Sequence, residues 1–204
     1  MAITLRKDPK QKRSQSLVDD VIEATARLIP DSGVDKATTN KIAELAGVSI
    51  GSLYRYFPNK EAIFISLLKR IEEGHREKLQ AVLAEVQNLA PQDRVEPVVR
   101  AIMDLVLEKR KLMMILYSRA GSLGALEHLQ RSRRRVREDI ELVLQRFPSH
   151  LQRRHAKTAA RLLVSCVHGV LEDLIQDECA EPEIEAMKSE LTFVFRSYLF
   201  GEDS

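Results

Sequence analysis

The strongest constraint on the fold is an apolar spacing of three and four residues that recurs along nearly the whole chain, from Ser14 to Leu199. Such spacing places apolar side chains on one face of an α-helix. The 204 residues include only 8 glycines and 7 prolines, which is too little turn-forming sequence for many short strands. We therefore predict an all-α fold of about nine helices.

Prolines, glycines and capping residues divide this pattern into helices. Pro30 and Gly33 are predicted to end the first helix, with Gly33 in a left-handed conformation. Asn59 is a natural N-cap for a long helix that should run to about Val86. Further periodic segments cover about 92–108, 110–118 and 125–146, and two long helices close the chain.

The segment from Thr39 to Tyr56 has the features of a helix-turn-helix. Ala43 is small where two short helices cross, and Gly47 lies at the turn, where a positive φ costs glycine little. Ser49 is placed to cap the second helix. The positions expected in the small core are Ile42, Ala46, Val48 and Leu53. The positions expected to point outward are Ile50, Gly51, Ser52, Tyr54, Arg55 and Tyr56.

This outward set contains no acidic residue, which suits a surface that lies against phosphates and base edges. A plain helical hairpin that binds a protein has the same spacing and stays an alternative. The charge distribution favours DNA. The net charge is only +2, but residues 1–13 carry five basic residues against one acid, whereas residues 172–190 carry eight acids against Lys188. A basic N-terminal arm at 1–13 should therefore orient the protein toward DNA.

The string TTNKIAELAGVSIGSLYRYFPNKEAIF, from Thr38 to Phe64, carries a family resemblance. Residues 15–65 closely resemble the DNA-binding domain of the TetR family of bacterial transcriptional regulators. The most specific positions are Leu53, Tyr54, Tyr56, Phe57, Lys60 and Glu61. The resemblance implies a three-helix DNA-binding domain at 14–60 and a larger helical effector-binding and dimerisation domain at 61–204.

The resemblance also implies roles for single residues in binding a double-stranded DNA operator. The positions where the family contacts phosphates are Thr39, Tyr54, Tyr56 and Lys60. The positions where bases are approached are Asn40, Ile50, Gly51, Ser52 and Arg55, and Ser49 belongs to the same surface as the cap. Ile50 is apolar where a polar or basic residue is frequent, and it suits a thymine methyl group. The implied function is a dimeric repressor released from a palindromic operator by a small-molecule effector, with an activator as the alternative.

Two sets of apolar residues are candidates for the effector pocket and the homodimer interface. The candidate ligand-binding residues are Met103, Leu107, Met113, Met114 and Tyr117, for which core packing is the plain alternative. The last two predicted helices have apolar stripes wider than one core-facing side needs, which favours a four-helix interface between two subunits. The candidate interface residues are Leu163, Val167, Val170, Leu174, Leu191, Phe195 and Tyr198.

An arginine cluster is the remaining unusual feature, formed by Arg131, Arg133, Arg134, Arg135 and Arg137. A solvated helix face paired with neighbouring acids is the first interpretation. Recognition of an anionic effector, or pairing with the acidic stretch at 172–190 of a partner subunit, are the alternatives.

Nothing in the sequence indicates catalysis, a metal or a cofactor. There is no His-Glu-x-x-His, P-loop, Gly-x-Gly-x-x-Gly or Gly-x-Ser-x-Gly motif. Cys166, His168 and Cys179 match no standard zinc spacing. No apolar run approaches the roughly 18 residues of a membrane span, and residues 1–13 lack the apolar core of a secretory signal. We therefore expect a cytoplasmic protein that is not an enzyme and does not contact a membrane.

Overall fold

The computed structural model describes residues 12–146, 155–177 and 179–201, so most of the predicted basic arm, residues 1–11, lies outside it. All regular elements in these ranges are helical, which confirms the all-α prediction. The nine α-helices in the described ranges are α1 Lys12–Lys36, α2 Thr39–Leu45, α3 Ile50–Tyr56, α4 Lys60–Glu85, α5 Val95–Leu107, α6 Arg110–Ser118, α7 Leu126–Gln145, α8 Ala156–Gln176 and α9 Glu181–Phe200. Short 3-10 turns at Val86–Asn88 and Pro91–Arg94 separate α4 from α5.

The predicted end of the first helix is wrong in one respect, because Pro30 lies inside α1. Proline removes only its own N–H from the helix ladder, and the Ser32 hydroxyl donates a 2.8 Å hydrogen bond to the Leu28 carbonyl in the same turn. The break comes at Gly33, with φ 72° and ψ 166°, and helical backbone resumes as far as Lys36. The positive φ was expected, but the extended ψ is not that of a left-handed helical cap.

Within the described ranges the chain forms two compact units, 12–74 with 111–128 and 75–110 with 129–201. This division does not coincide with the expected boundary between residues 60 and 61. The reason is that the first half of α4 groups with α1–α3, and its apolar side chains are buried there. These side chains are Ala62, Ile63, Phe64, Ile65, Leu67, Leu68 and Ile71.

In the first unit, α1, α2 and α3 pack against one another. Ile42 and Leu53 are buried in this core, as predicted, whereas Ala46 and Val48 are only half-buried. The other fully buried large side chains of the first unit include Val21, Ile29, Phe57, Ile63, Phe64 and Leu68. This packing fixes α2 and α3 relative to α1, which any surface built from both helices requires.

In the second unit, α5, α8 and α9 pack around one apolar cluster, and a charged network ties α5 to α9. Lys188 is 4% exposed, and its ammonium lies 2.5 Å from both the Asp104 and the Glu185 carboxylates. Burial alone would lower the pKa of Lys188, but the hydrogen bonds that its ammonium donates to these two carboxylates outweigh burial and raise the pKa. Glu185 also accepts a 2.6 Å hydrogen bond from Arg100 of α5.

A histidine of the second unit makes stability depend on pH. Burial lowers the pKa of His168 from its ordinary 6.5, and the neighbouring Arg133 guanidinium lowers the pKa further. Since the folded pKa of His168 is below the unfolded pKa, the free energy of unfolding depends on pH. The stabilisation by the neutral imidazole is fully present above about pH 6.5. It is lost as the pH falls, because the imidazole of the unfolded chain takes up a proton more readily than that of the folded chain. We expect His168→Gln to reduce the loss of unfolding free energy between pH 7.5 and 5.5 in urea titrations. His155→Gln, at an exposed site of the same unit, is the matched histidine control.

Candidate nucleic-acid interface

The turn between α2 and α3 is built by local hydrogen bonds. Gly47 has a φ of 65°, and the Val48 N–H donates a 3.0 Å hydrogen bond to the Ala43 carbonyl. The Ser49 hydroxyl accepts a 3.1 Å hydrogen bond from the Ser52 N–H and donates to the Ser52 hydroxyl at 2.8 Å. The predicted roles of Gly47 and Ser49 in this turn are confirmed. The start of α3 is therefore fixed by side-chain capping as well as by packing.

Removal of this cap should be measurable in the unfolding free energy. Ser49→Ala leaves the Ser52 N–H of α3 without its acceptor, so we expect a loss of about 1 kcal/mol. Ser49→Gly should lose only a few tenths of that amount because glycine exposes the N–H groups to water. Urea titrations of the two variants, with Ser122→Ala as a serine control outside the helix-turn-helix, test this. Equal stability of Ser49→Ala and the natural protein would contradict the capping role.

Two hydroxyl groups join α2 to α3 at the surface. The Thr39 hydroxyl and the Tyr54 phenol lie 3.0 Å apart in a hydrogen bond. Thr38 caps α2, its hydroxyl accepting a 3.3 Å hydrogen bond from the Lys41 N–H. The structure thus brings together two of the predicted phosphate-contact residues from different helices. Tyr54 is 41% exposed, so its phenol remains accessible from solvent.

The exposed face of α3 is free of acidic side chains. Ile50, Gly51 and Arg55 are exposed, and Ser52 is half-buried beneath the cap. Asn40 is exposed on the adjoining α2. A Cβ built on Gly51 would meet no atom within 4 Å, so the fold itself leaves open space above this backbone. These features suit a helix whose backbone approaches the base edges of a groove.

The prediction that Tyr56 points outward is wrong, because the residue is buried, with only 8% of its surface exposed. The reason is helical spacing. Leu53, Tyr56 and Phe57 are three and four residues apart, so they share one face of the chain and pack inward together.

Lys60, which was predicted to contact a phosphate, bonds within the protein in this structure. Its ammonium donates a 3.0 Å hydrogen bond to the backbone carbonyl of Val34 and lies 5.7 Å from the centre of the Phe64 ring. The side chain is half-buried. Asn59 caps α4 as predicted, its side-chain oxygen accepting a 2.9 Å hydrogen bond from the Ala62 N–H.

Two family models match the chain. The model described as bacterial regulatory proteins of the tetR family matches residues 21–67, which include α2 and α3. The model of the tetracyclin repressor-like C-terminal domain matches residues 90–199, more than half of the chain. The chain belongs to the TetR family. Its helix-turn-helix is the α2–α3 pair, which lies within the residues that the first model matches.

Individual relatives of this TetR-family protein match mainly in part. The fatty acid metabolism regulator protein of Bacillus subtilis (strain 168) is 40% identical over 80 residues, 35% of this chain and 40% of that protein. The nucleoid occlusion factor SlmA of Glaesserella parasuis is 30% identical over 106 residues, 52% of this chain and 48% of that protein. The chain therefore spans less than half the length of either of these relatives.

Solved structures resemble the regulator over nearly its whole length. NalD, the secondary repressor of the MexAB-OprM multidrug efflux pump in Pseudomonas aeruginosa, superposes with a TM-score of 0.70 at 20% identity. That match covers 95% of this chain and all of NalD. At this identity the likeness shows a shared fold.

The candidate effector residues of the regulator are not brought together within one unit. Met103 is fully buried in the apolar cluster of the second unit, and Leu107 lines a cavity of about 490 Å³ beside Asp104 and Lys188. In the first unit Met113 is buried, Met114 is half-buried and Tyr117 is exposed. Met103 and Met113 thus have core positions, and the effector role of the set stays a prediction.

Four of the candidate dimer residues are wrongly placed for an interface. Leu163, Leu174, Leu191 and Phe195 are buried in the cluster of their own unit. The apolar stripes of α8 and α9 that predicted these residues pack within the chain itself. The remaining candidates, Val167, Val170 and Tyr198, are half-buried and pack against the same cluster.

The exposed apolar side chains of α8 and α9 are different residues, which the prediction missed. They are Leu162, Met187, Phe193 and Val194. The signal for them was present in the sequence, because Leu162 and Val194 widen the apolar stripes of their helices beyond one face.

In the arginine cluster, Arg133 contacts the His168 ring and Arg134 and Arg135 are exposed. Cys166 and Cys179 are partly buried thiols that pack against the apolar cluster. Across the described ranges no group of three or more His, Cys, Asp or Glu side chains is arranged to hold a metal ion. None of the helices in those ranges combines the length and the apolar character needed to cross a bilayer.

Proposed function

We propose that this chain is a homodimeric repressor that binds a palindromic operator and is released by a small-molecule effector. The observation that carries the proposal is the α2–α3 surface. It combines the Thr39–Tyr54 hydroxyl pair, at 3.0 Å, with an exposed α3 face that contains no acid. Such a surface is suited to phosphate oxygens at one end and to base edges along α3.

The proposed contacts divide into two kinds. In the Thr39–Tyr54 pair the hydroxyl that accepts keeps its own proton free to donate to a phosphate, and this contact sets the register of the head on the duplex. Asn40 and Arg55, both exposed, reach base edges. Their side chains carry hydrogen-bond donors that match the acceptors of the bases in the major groove. Ile50 contacts a thymine methyl group. The basic residues at 1–13 reach an adjacent groove or the backbone, which strengthens binding at low salt.

The dimer is proposed to form through the exposed apolar side chains of α8 and α9. Leu162, Met187, Phe193 and Val194 are exposed on two helices that pack against each other, and a second copy covers them with the same four side chains. A twofold axis then places two copies of α3 on half-sites about one turn of DNA, roughly 34 Å, or a multiple of it apart.

Release is proposed to follow from a population shift. An effector that binds within residues 61–204 favours a dimer whose α3 helices are wrongly spaced for the operator, by a coupling of about 1–3 kcal/mol. Since α4 is continuous from Lys60 to Glu85, it is the proposed carrier of the change. The similarity to a tetracyclin repressor-like C-terminal domain at residues 90–199 supports a ligand-responsive repressor. Such a regulator works in the cytoplasm, where the bacterial chromosome is.

A binding titration with duplex DNA from upstream of its own gene tests the proposal. We expect retention of that duplex with a steep loss of affinity as salt rises, and weakened retention for Thr39→Ala and Tyr54→Phe. Absence of salt-dependent binding to any duplex, together with loss of protein partners in Tyr54→Phe, would favour a protein-interaction module instead. Deletion of the gene should raise expression from the bound promoter, whereas a fall would identify an activator.

A further inference from the structure

We propose that two copies of this chain recognise each other through an antiparallel contact between their α8 helices, in which Arg161 of each copy binds Glu172 of the other. These two residues select a second copy of the same chain as the partner, over a chain whose helix carries another charge pattern. The selection rests on the proposed homodimer, and it adds to the homodimer the residues that decide which chains can pair.

The exposed charges of α8 are divided by sign between its two halves. Lys157 and Arg161 are exposed in the first half. The second half has the exposed acids Glu172 and Asp173, and Asp177 follows at the C-cap. A parallel second α8 would set like charges side by side, which is unfavourable. An antiparallel one sets the basic half of each helix against the acidic half of the other, so the charges favour the antiparallel arrangement.

This division of charge does not stabilise α8 as a single helix. A helix has partial positive charge at its N-terminus and partial negative charge at its C-terminus, so acids are favourable at its start and bases at its end. α8 has the reverse arrangement, with Lys157 in its first turn, Asp173 in its last turn and Asp177 as its C-cap. An antiparallel second α8 places the opposite charge beside each of these ends, which the helix lacks by itself.

Arg161 and Glu172 lie on the same edge of the exposed face of α8. They are eleven residues apart in the sequence, about three helical turns, so their side chains leave the helix in nearly the same direction. The same spacing separates them by roughly 16 Å along the axis, too far for a salt bridge within one chain. Among the described residues no ion pair involves Arg161, and Glu172 accepts a 3.4 Å hydrogen bond from the Gln176 amide. Both charges are therefore available to a second copy.

The centre of the same face is open enough for a second helix to come close. Ser165 and Gly169 are exposed there, and a Cβ built on Gly169 would meet no atom within 4 Å. If two antiparallel α8 helices cross midway between these residues, each Ser165 faces the Gly169 of the other copy. Arg161 then comes opposite Glu172, because both pairs are centred on nearly the same point of the helix. At an interaxial distance of about 8–10 Å the two side chains reach each other.

A charge-swap experiment tests the pairing, with sedimentation and native mass spectrometry as the measurements. In an Arg161→Glu homodimer both contacts become Glu–Glu, and in a Glu172→Arg homodimer both become Arg–Arg. We expect the dissociation constant of each homodimer to rise at least about tenfold. A mixture of the two variants restores both pairs of opposite charge. The heterodimer should therefore form with a dissociation constant within about threefold of that of the natural dimer.

Arg135→Glu and Glu138→Arg form the matched control pair, because both residues are exposed on α7, outside the proposed contact. Each control should dimerise as the natural protein does, and their mixture should contain homodimers and heterodimers in statistical proportions. A mixture of Arg161→Glu and Glu172→Arg without an excess of heterodimer overturns the pairing. A natural protein that sediments as a monomer at every concentration contradicts the proposed homodimer itself, together with this contact. A natural dimer without charge selection overturns the contact alone.

Gly169→Leu tests the close approach at the centre of the contact. Leucine is a better helix former than glycine and the fold leaves room for it, so the variant should unfold at the same or a higher urea concentration. Its dimer dissociation constant should nevertheless rise about tenfold or more, because the added side chain holds the two helices apart. Gly74→Leu, on α4, has equally open space and should dimerise normally. Unchanged dimerisation of Gly169→Leu would overturn the crossing at this point.

Discussion

Phe193→Asp is expected to convert the proposed dimer to a monomer. Phe193 is 63% exposed on α9, the next residue, Val194, is also exposed, and Met187 is exposed nearly two turns earlier on the same helix. Covering the ring from water contributes about 1.5–3 kcal/mol in each subunit, and the twofold axis of a dimer doubles the effect. Loss of about 3–6 kcal/mol corresponds to an increase of two to four orders of magnitude in the dissociation constant of the dimer.

Sedimentation analysis over a range of protein concentrations measures this change. Leu142→Asp is the matched control, since Leu142 is a 57% exposed apolar side chain on α7, outside the proposed interface. The control should remain a dimer. A Phe193→Asp variant that sediments as the natural protein does would show that the α8–α9 face is not where two copies meet.

The same variant has a second expected effect, on DNA. A dimer binds a palindrome through two heads, and the second head binds at high effective concentration once the first is in place. A monomeric Phe193→Asp protein keeps its α2–α3 surface but loses that advantage. Its affinity for a single half-site should therefore equal that of one head of the natural protein. Its affinity for the full palindrome should fall by about a hundredfold or more.

Local features of this protein were predictable from sequence because they depend on residues three or four apart. Ser49 caps α3 and Asn59 caps α4 as expected, since a cap requires only a side-chain oxygen near the next turn. The helical fold followed from the same short-range periodicity. The same helical spacing also predicts the burial of Tyr56, because Leu53 lies three residues before it and packs inward.

Features that depend on distant residues were not predictable. An apolar stripe shows that a helix face is buried, but not whether its own chain or a partner buries it. Leu163 and Phe195 were therefore expected in an interface, although α5, α8 and α9 already pack them together. Lys60 poses the same difficulty, because its partner is a backbone carbonyl 26 residues away, and carbonyls carry no sequence signal.

The charge pattern also needs the structure for its interpretation. The acidic stretch at 172–190 includes Glu185, which is engaged by Arg100 and Lys188 between α5 and α9. Part of that negative charge therefore holds the second unit together and does not serve to orient the protein. The acid-free face of α3 is the stronger indication of a DNA-facing side.

Gly51 allows that face to be tested with little risk to the fold. It lies within α3, and an added Cβ meets nothing within 4 Å. Replacing glycine inside a helix by a residue such as alanine or leucine stabilises the helix by about 0.5–1 kcal/mol. Gly51→Leu should therefore unfold at the same or a higher urea concentration than the natural protein.

DNA binding should change in the opposite direction. If α3 lies in the major groove with its backbone close to the bases, a leucine at position 51 displaces the helix and weakens its base contacts. At about 1–3 kcal/mol for each half-site, the dissociation constant for the operator rises about thirtyfold or more. Gly74→Leu is the matched control, because Gly74 of α4 has equally open space around it and should leave binding unchanged. If Gly51→Leu is the more stable protein but binds DNA less well, position 51 faces the duplex. Equal binding by both leucine variants would place the DNA on another surface.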